Sequence, residues 1–289
     1  MALVVHEPHD EMIKDAILKE KAKVGQKVVI ANSIRISRHN IDDQMQRPQR
    51  AIRSDITDIV KESQKRIKRA LVEGFEYDHL VVAKSDQFLR KHAFQKLDFA
   101  VMYVDLVGST RMSTELTPDF LSKIITVFSQ EVAYVIECFH GLVLKFVGDA
   151  VIGYFPFSSQ KKKNNVDDIV LCGESIVHVV RHAINPLLLQ MGHKGVEVKI
   201  TSDYGQHTII RYGSDHERSH VDIISATMNL AAKMQSVTKG DQMVVGKKLY
   251  EKLSGDLQRI FEKAMFDENR WSYHNLAEQK PYQLYIVTF

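Results

Sequence analysis

The chain has 289 residues, 44% hydrophobic and 26% charged, the balance of a globular protein with one full core and a smaller appendage. Its 39 basic and 36 acidic side chains leave a formal charge of +3, and no basic run is interleaved with aromatics, which argues against nucleic acid as a partner. The longest apolar runs fall far short of the roughly 20 residues of a membrane helix.

Glu and Asp within Met1 to Asp15 break the basic-then-apolar order of a secretory signal, so a cytoplasmic protein is expected. The two cysteines, Cys138 and Cys172, have no CxxC spacing and read as reduced thiols. Residues 1 to 53, with a segment rich in Asn, Gln, Arg and Pro from Asn40 to Gln49, read as a loosely packed extension. From Ser54 to Gly74 a helix is predicted, with Ile56, Val60, Ser63, Ile67 and Ala70 spaced alternately by four and three. That seam suits a short dimer stalk or a helix packed on its own domain, and both readings stay open. Residues 1–95 are thus expected to form an N-terminal extension with a dimerisation or regulatory role, and 96–289 the main domain.

Leu97 to Val107 predicts a buried strand, Asp119 to Phe139 an amphipathic helix, and Gly141 to Phe155 a hairpin turning at Gly148 and Asp149. After a polar loop, Ser158 to Asp168, whose Lys161 to Lys163 reads as a solvated run, a helix follows from Ile169 to Met191. Strands are expected at Val196 to Thr201, Thr208 to Tyr212, Gln242 to Val245 and Gln283 to Val287, and helices at Ser225 to Ser236 and from Lys247. This order indicates an α+β sandwich, an antiparallel or mixed sheet covered by helices, rather than a doubly wound fold.

Two segments carry chemistry. In Val104-Asp105-Leu106-Val107-Gly108-Ser109-Thr110 an acid ends a buried strand and is followed by a glycine turn and two hydroxyls. The acid can meet a cation, and the amides of Val107, Gly108, Ser109 and Thr110 can bind phosphate oxygens as helix amino termini do. In Lys145-Phe146-Val147-Gly148-Asp149 a second acid occupies the hairpin turn. Antiparallel pairing of the two strands brings Asp105 beside Asp149, where two carboxylates repel unless a cation joins them. Hard oxygen ligands suit Mg²⁺ or Mn²⁺, and two such ions suit displacement at phosphorus.

At these segments the sequence resembles the class III adenylyl and guanylyl cyclases, over about residues 96 to 289. The resemblance implies a ferredoxin-like catalytic domain, with Asp105, Asp149 and the carbonyl of Leu106 as ligands of two Mg²⁺ or Mn²⁺ ions. A third segment, Val221 to Met234, fits the family's helix with Asn and Arg four residues apart: Asn229 implies a ribose-orienting residue, and Lys233 the cation that meets the α-phosphate, without the bidentate fork of Arg. Lys145, four residues before Asp149, and Asp222, seven before Asn229, match the base-selecting Lys and Asp of adenylyl members. Lys donates to adenine N1 and Asp accepts from the N6 amine, so ATP is expected as substrate and 3′,5′-cyclic AMP with pyrophosphate as products.

The resemblance also implies a head-to-tail homodimer, with metal acids from one protomer and base- and phosphate-reading residues from the other. Two departures stand against it: the Lys-Gly pair before the last strand is replaced by Asn275 to Pro281, with Lys280 out of register, and Ser225 or Ala226 stands where the helix is usually preceded by Gly. They leave two alternatives, a guanylyl or pyrimidine nucleotide cyclase on the same fold and a catalytically weak cyclase-like regulatory domain. A diguanylate cyclase is disfavoured, because no Gly-Gly-Asp/Glu-Glu-Phe turn lies at the hairpin.

Overall fold

The computed structural model describes residues 56–73, 80–156, 166–216, 218–266, 270–275 and 280–289. The extension up to residue 53, the Lys161 to Lys163 run and residues 276–279 lie outside the described residues. Among the described residues, the sheet and the helices packed on it belong to one compact unit.

Eight strands form one mixed sheet in the order β2-β3-β1-β4-β6-β10-β7, with β5 paired to β4. The strands are β1 (Lys96–Leu106), β2 (Leu142–Val147), β3 (Ala150–Pro156), β4 (Val198–Tyr212), β5 (His220–Ile224), β6 (Gln242–Gly246), β7 (Glu262–Lys263) and β10 (Leu284–Thr288). A separate ribbon pairs β8 (His274–Asn275) with β9 (Lys280–Pro281). Only β4 and β6 run parallel; the other pairs of the large sheet are antiparallel. The fold is that of an α+β sandwich.

Strand β1 shows why the sheet is covered on both faces. Its residues alternate sides: Ala100, Met102, Val104 and Leu106 join the main core, while Phe99 and Val101 join a second cluster. The main core is completed by α4 (Pro118–Cys138) and α5 (Asp167–Val179), through side chains such as Phe128, Ile136, Ile169 and Ile176. The second cluster takes Leu89 from α2 (Leu80–Lys91) and Met228 and Ala231 from α7 (Ala226–Met234). Short helices α3 (Ser109–Glu115), α6 (Asn185–Gln190), α8 (Lys247–Tyr250) and α9 (Gly255–Gln258) fill the connections.

Several elements differ from their sequence signals. The two strands expected at 196–201 and 208–212 are one 15-residue strand, β4. The long helix expected at 169–191 contains a π-helical turn, Val180–Ile184, between α5 and α6. The helix from Lys247 is a single turn, and neither α2 nor β5 had a signal of its own. Helix α1 (Ile56–Glu73) buries Ile59, Ser63 and Ile67. Its Arg66 forms an ion pair with the buried Glu131 of α4, with Nη2 2.5 Å from Oε2.

Candidate active site

The β1–β3 ladder ends at the pair Val104 and Val151, so the next residue of β1, Asp105, emerges beside the β2–β3 turn that carries Asp149. Gly148 makes that turn with a left-handed φ of 61°, a conformation open to Gly at no steric cost. Asp149 Oδ2 is buried with no hydrogen-bond partner. Burial pushes the Asp105 carboxyl above the usual carboxylate range; the charge of Asp149 adds to this, and Lys199 opposes it. Lys199 faces Asp105 in the β1–β4 register and sets its Nζ 3.0 Å from Asp105 Oδ2. An orphaned carboxylate oxygen beside a second acid is a donor set short of a cation, which fits a divalent metal ion. No group of three or more His, Cys, Asp or Glu gathers among the described residues, so the two acids stand without a further protein carboxylate or imidazole.

After Asp105 the buried Leu106 closes β1, and Val107 donates its amide to the Glu197 carbonyl at 2.9 Å. Gly108, at φ 81°, turns the chain into α3, which begins at Ser109 and Thr110. Gly108 provides no side-chain cap, so the amides of that first turn face outward to whatever acceptor approaches.

Lys145 and Asp222 are 77 positions apart in sequence, and the fold joins them: Nζ lies 2.6 Å from Oδ2. Lys145 sits on β2, just past a register shift in its pairing with β3, and Asp222 on β5 opposite Ile210. His220 Nε2 is 3.9 Å from the same Asp222 oxygen. The Tyr103 hydroxyl of β1 is pushed up to about 12 by burial and by the Asp222 charge.

Asn229 and Lys233 lie one turn apart on the exposed face of α7. The Lys233 ammonium stands over the Tyr273 ring, 5.6 Å from its centroid. The ring of Tyr273 in turn meets Tyr282 edge-on, and the Tyr282 hydroxyl donates to the buried Asp203 carboxylate at 2.9 Å. Lys280 is exposed on β9.

The structure thus brings together Asp105 with Asp149 and Lys145 with Asp222, and presents Asn229 and Lys233 on a third, outward surface. Sequence reasoning missed Lys199, Tyr103 and Tyr273. Lys199 had a signal, as the only charge in the middle of the predicted apolar strand Val196 to Thr201 apart from Glu197 at its start. Tyr103 and Tyr273 had none, because their relevance lies only in tertiary proximity.

Residues 92–285 match the adenylate and guanylate cyclase catalytic domain family, and the chain belongs to that family. Among curated proteins it is 24% identical over 163 residues to a cytidylate cyclase of Escherichia coli, covering 53% of this chain and 34% of that one. It is 26% identical over 206 residues to a uridylate cyclase of a Rhodovulum species, covering 64% of this chain and 82% of that one. The match to the Escherichia coli relative therefore spans only about a third of its length. Among solved structures, the guanylyl cyclase Cya2 aligns with a TM-score of 0.56 at 20% identity, over 68% of this chain and 93% of that one. The adenylyl cyclase CyaB from P. aeruginosa aligns at 0.55 and 21%, over 68% and 95%. These structures establish the class III cyclase fold. No helix among the described residues is long and apolar enough to cross a membrane.

Proposed function

We propose that this chain cyclises a nucleoside triphosphate whose base carries an amine beside a ring-nitrogen acceptor, releasing pyrophosphate, at sites formed between two head-to-tail copies. The observation that carries this reading is the Lys145–Asp222 pair at 2.6 Å. Lys145 offers a donor and Asp222 an acceptor, and two bases present the complementary edge: adenine through N1 and N6, cytosine through N3 and N4. Guanine and uracil present the reverse order. CTP satisfies this edge rule and agrees with the name of the cytidylate cyclase relative, whereas the uridylate cyclase relative is named for a base with the reverse edge. ATP, the substrate that the adenylyl pattern of Lys145 and Asp222 implies, is the second reading, and it rests on the pair alone.

Asp105, Asp149 and the Leu106 carbonyl would hold Mg²⁺ or Mn²⁺, which supplies the charge that eases deprotonation of the ribose 3′-hydroxyl and neutralises the triphosphate. The amides from Gly108 to Thr110 donate to phosphate oxygens, while that of Val107 is held by the Glu197 carbonyl. Lys145 and Asp222 exchange their mutual ion pair for the edge of the base. Asn229 from the partner surface orients the ribose, so that the 3′-oxygen lines up with the α-phosphorus as the bond to pyrophosphate breaks. Lys233 places its charge on the α-phosphate as negative charge develops there, a single-point contact in place of a guanidinium fork.

Turnover of CTP, ATP, GTP and UTP by the purified protein with Mn²⁺ tests this, with Asp149→Ala as control. Cyclic CMP or cyclic AMP from the wild type and nothing from the control is the expected result. GTP or UTP as the preferred substrate would remove the edge rule, and nucleotide binding without pyrophosphate release would leave a regulatory cyclase-like domain.

A further inference from the structure

Helix α7 is fastened to β1 at both ends, and its amino-terminal fastening runs through a buried histidine. His207 of β4 has no exposed surface and stacks on Phe99 with ring centroids 4.0 Å apart and planes 4° from parallel. Its Nε2 lies 3.1 Å from the Phe99 carbonyl, which can only accept, so Nε2 carries the proton. With burial pushing the imidazole down to about 4, the ring is neutral and Nδ1 is an acceptor. Ser225 therefore donates its hydroxyl to Nδ1 at 2.8 Å, and the same oxygen accepts the Met228 amide at 2.9 Å as the cap of α7. Each donor in this chain has one acceptor, and its direction is fixed from Phe99 to the first turn of the helix. At the far end, Gln235 donates to the Tyr103 carbonyl at 3.0 Å and to Thr201 Oγ1 at 3.1 Å.

We infer that His207 is a positioning residue: through Ser225 it sets the amino-terminal turn of α7 and so the placement of Asn229, the residue next after Met228. Ser225 stands at the end of β5, three residues after Asp222, so one relay also fixes the junction between the base-reading strand and the ribose-reading helix. At this junction the Ser225 hydroxyl is what the imidazole holds. The consequence for turnover rests on the proposed cyclase activity; the consequence for the helix does not.

The test uses His207→Phe, which keeps an aromatic ring for the stack but removes both nitrogens, and Ser225→Ala, which removes the cap. Each is expected to speed hydrogen exchange at the Met228 amide about fivefold, the factor that corresponds to loss of a typical cap. The double variant is expected to exchange no faster than either single one. Each single variant should lower kcat about fivefold with KM changed less than about twofold. In an Asn229→Ala background His207→Phe should lower kcat no further, whereas a general loss of packing would act in both backgrounds. Ser225→Thr, which keeps the hydroxyl, should restore both readouts. Unchanged Met228 exchange in both variants, or equal kcat losses with and without Asn229, overturns the proposal. If His207→Phe does not fold, Ser225→Ala carries the same measurements. If the wild type turns over no nucleotide, the proposed activity fails and the exchange data alone decide the relay.

Discussion

Asp149 keeps one carboxylate oxygen buried without a partner beside Asp105, whose own proton affinity that neighbour raises. Two such acids destabilise the protein as it stands in metal-free solution, because Lys199 at Asp105 offsets only part of the desolvation and like-charge repulsion. Asp149→Asn removes the charge and offers a donor to Asp105. The metal-free variant is expected to be more stable by about 1 kcal/mol in urea unfolding, while cyclase turnover falls below detection. Added Mn²⁺ should raise the melting temperature of the wild type and leave that of the variant unchanged. A variant less stable than the wild type without metal would show that Asp149 serves the fold rather than a cation.

The Lys145–Asp222 pair yields a prediction about choice among bases. Lys145→Glu combined with Asp222→Asn supplies an acceptor where the wild type has a donor, and a donor where it has an acceptor. That edge suits guanine and uracil. A matched pair of base contacts discriminates by about 1–3 kcal/mol, so the ratio of kcat/KM for GTP over ATP, and for UTP over CTP, should rise about 10- to 100-fold. Competition assays with mixed nucleotides measure this directly. An unchanged ratio would mean that the base is read elsewhere.

How much of this site could be read in the sequence depends on the range of the forces involved. Strand β1, helix α4, the β2–β3 hairpin and helix α7 were legible, because each carries its own period and its own stop signal, such as Gly148 at the turn. The full length of β4 was not. Its middle, Thr201 to His207, is rich in polar side chains, which broke the expected alternation into two short strands. Those polar groups are satisfied at long range: Thr201 donates to the Ala231 carbonyl, Ser202 to the Val101 carbonyl, and Asp203 accepts from Tyr282. No local pattern contains such partners. Gly205 tells the same story, since a Cβ there would run into Thr227 Oγ1 of α7. The need for glycine comes from a helix that arrives in the chain only after β5.

Two buried groups should make stability respond to pH in opposite senses. His207 is pushed down to about 4 from the ordinary 6.5, so the stability it contributes is complete above about pH 6.5 and is lost as pH falls toward 4. Asp203 is pushed up to about 6 from 3.8 by burial, against the hydrogen bonds from Tyr204, Tyr282 and Leu249. Its carboxyl therefore favours folding below pH 3.8 and loses that contribution as pH rises through 6. Over pH 4–6 the two largely offset each other, each amounting to about 3 kcal/mol in size. Asp203→Asn should uncover the histidine: unfolding free energy is expected to drop more steeply between about pH 6.5 and about pH 4.5 than in the wild type. In His207→Phe the slope of Asp203 alone remains, so its unfolding free energy is expected to rise as pH falls over the same range. Parallel urea titrations at the two pH values check both signs.

The ion pair between α1 and α4 shows how the segment before the cyclase domain can matter energetically without touching nucleotide. Glu131 is only 4% exposed and depends on Arg66, which approaches with Nε at 3.1 Å and Nη2 at 2.5 Å and stacks over Tyr134. Removing one partner of such a pair strands a buried charge, at a cost of about 3–5 kcal/mol, whereas replacing both with apolar groups of similar size is close to neutral. Arg66→Met is therefore expected to destabilise the fold by about 3 kcal/mol, and Arg66→Met with Glu131→Met to recover most of that loss. The 32% exposure of the Arg66 side chain puts the expected value at the low end, because water reaches its guanidinium. Equal losses in the single and double variants would mean that α1 is held by Ile59 and Ile67 alone, and that the charges add nothing to its docking.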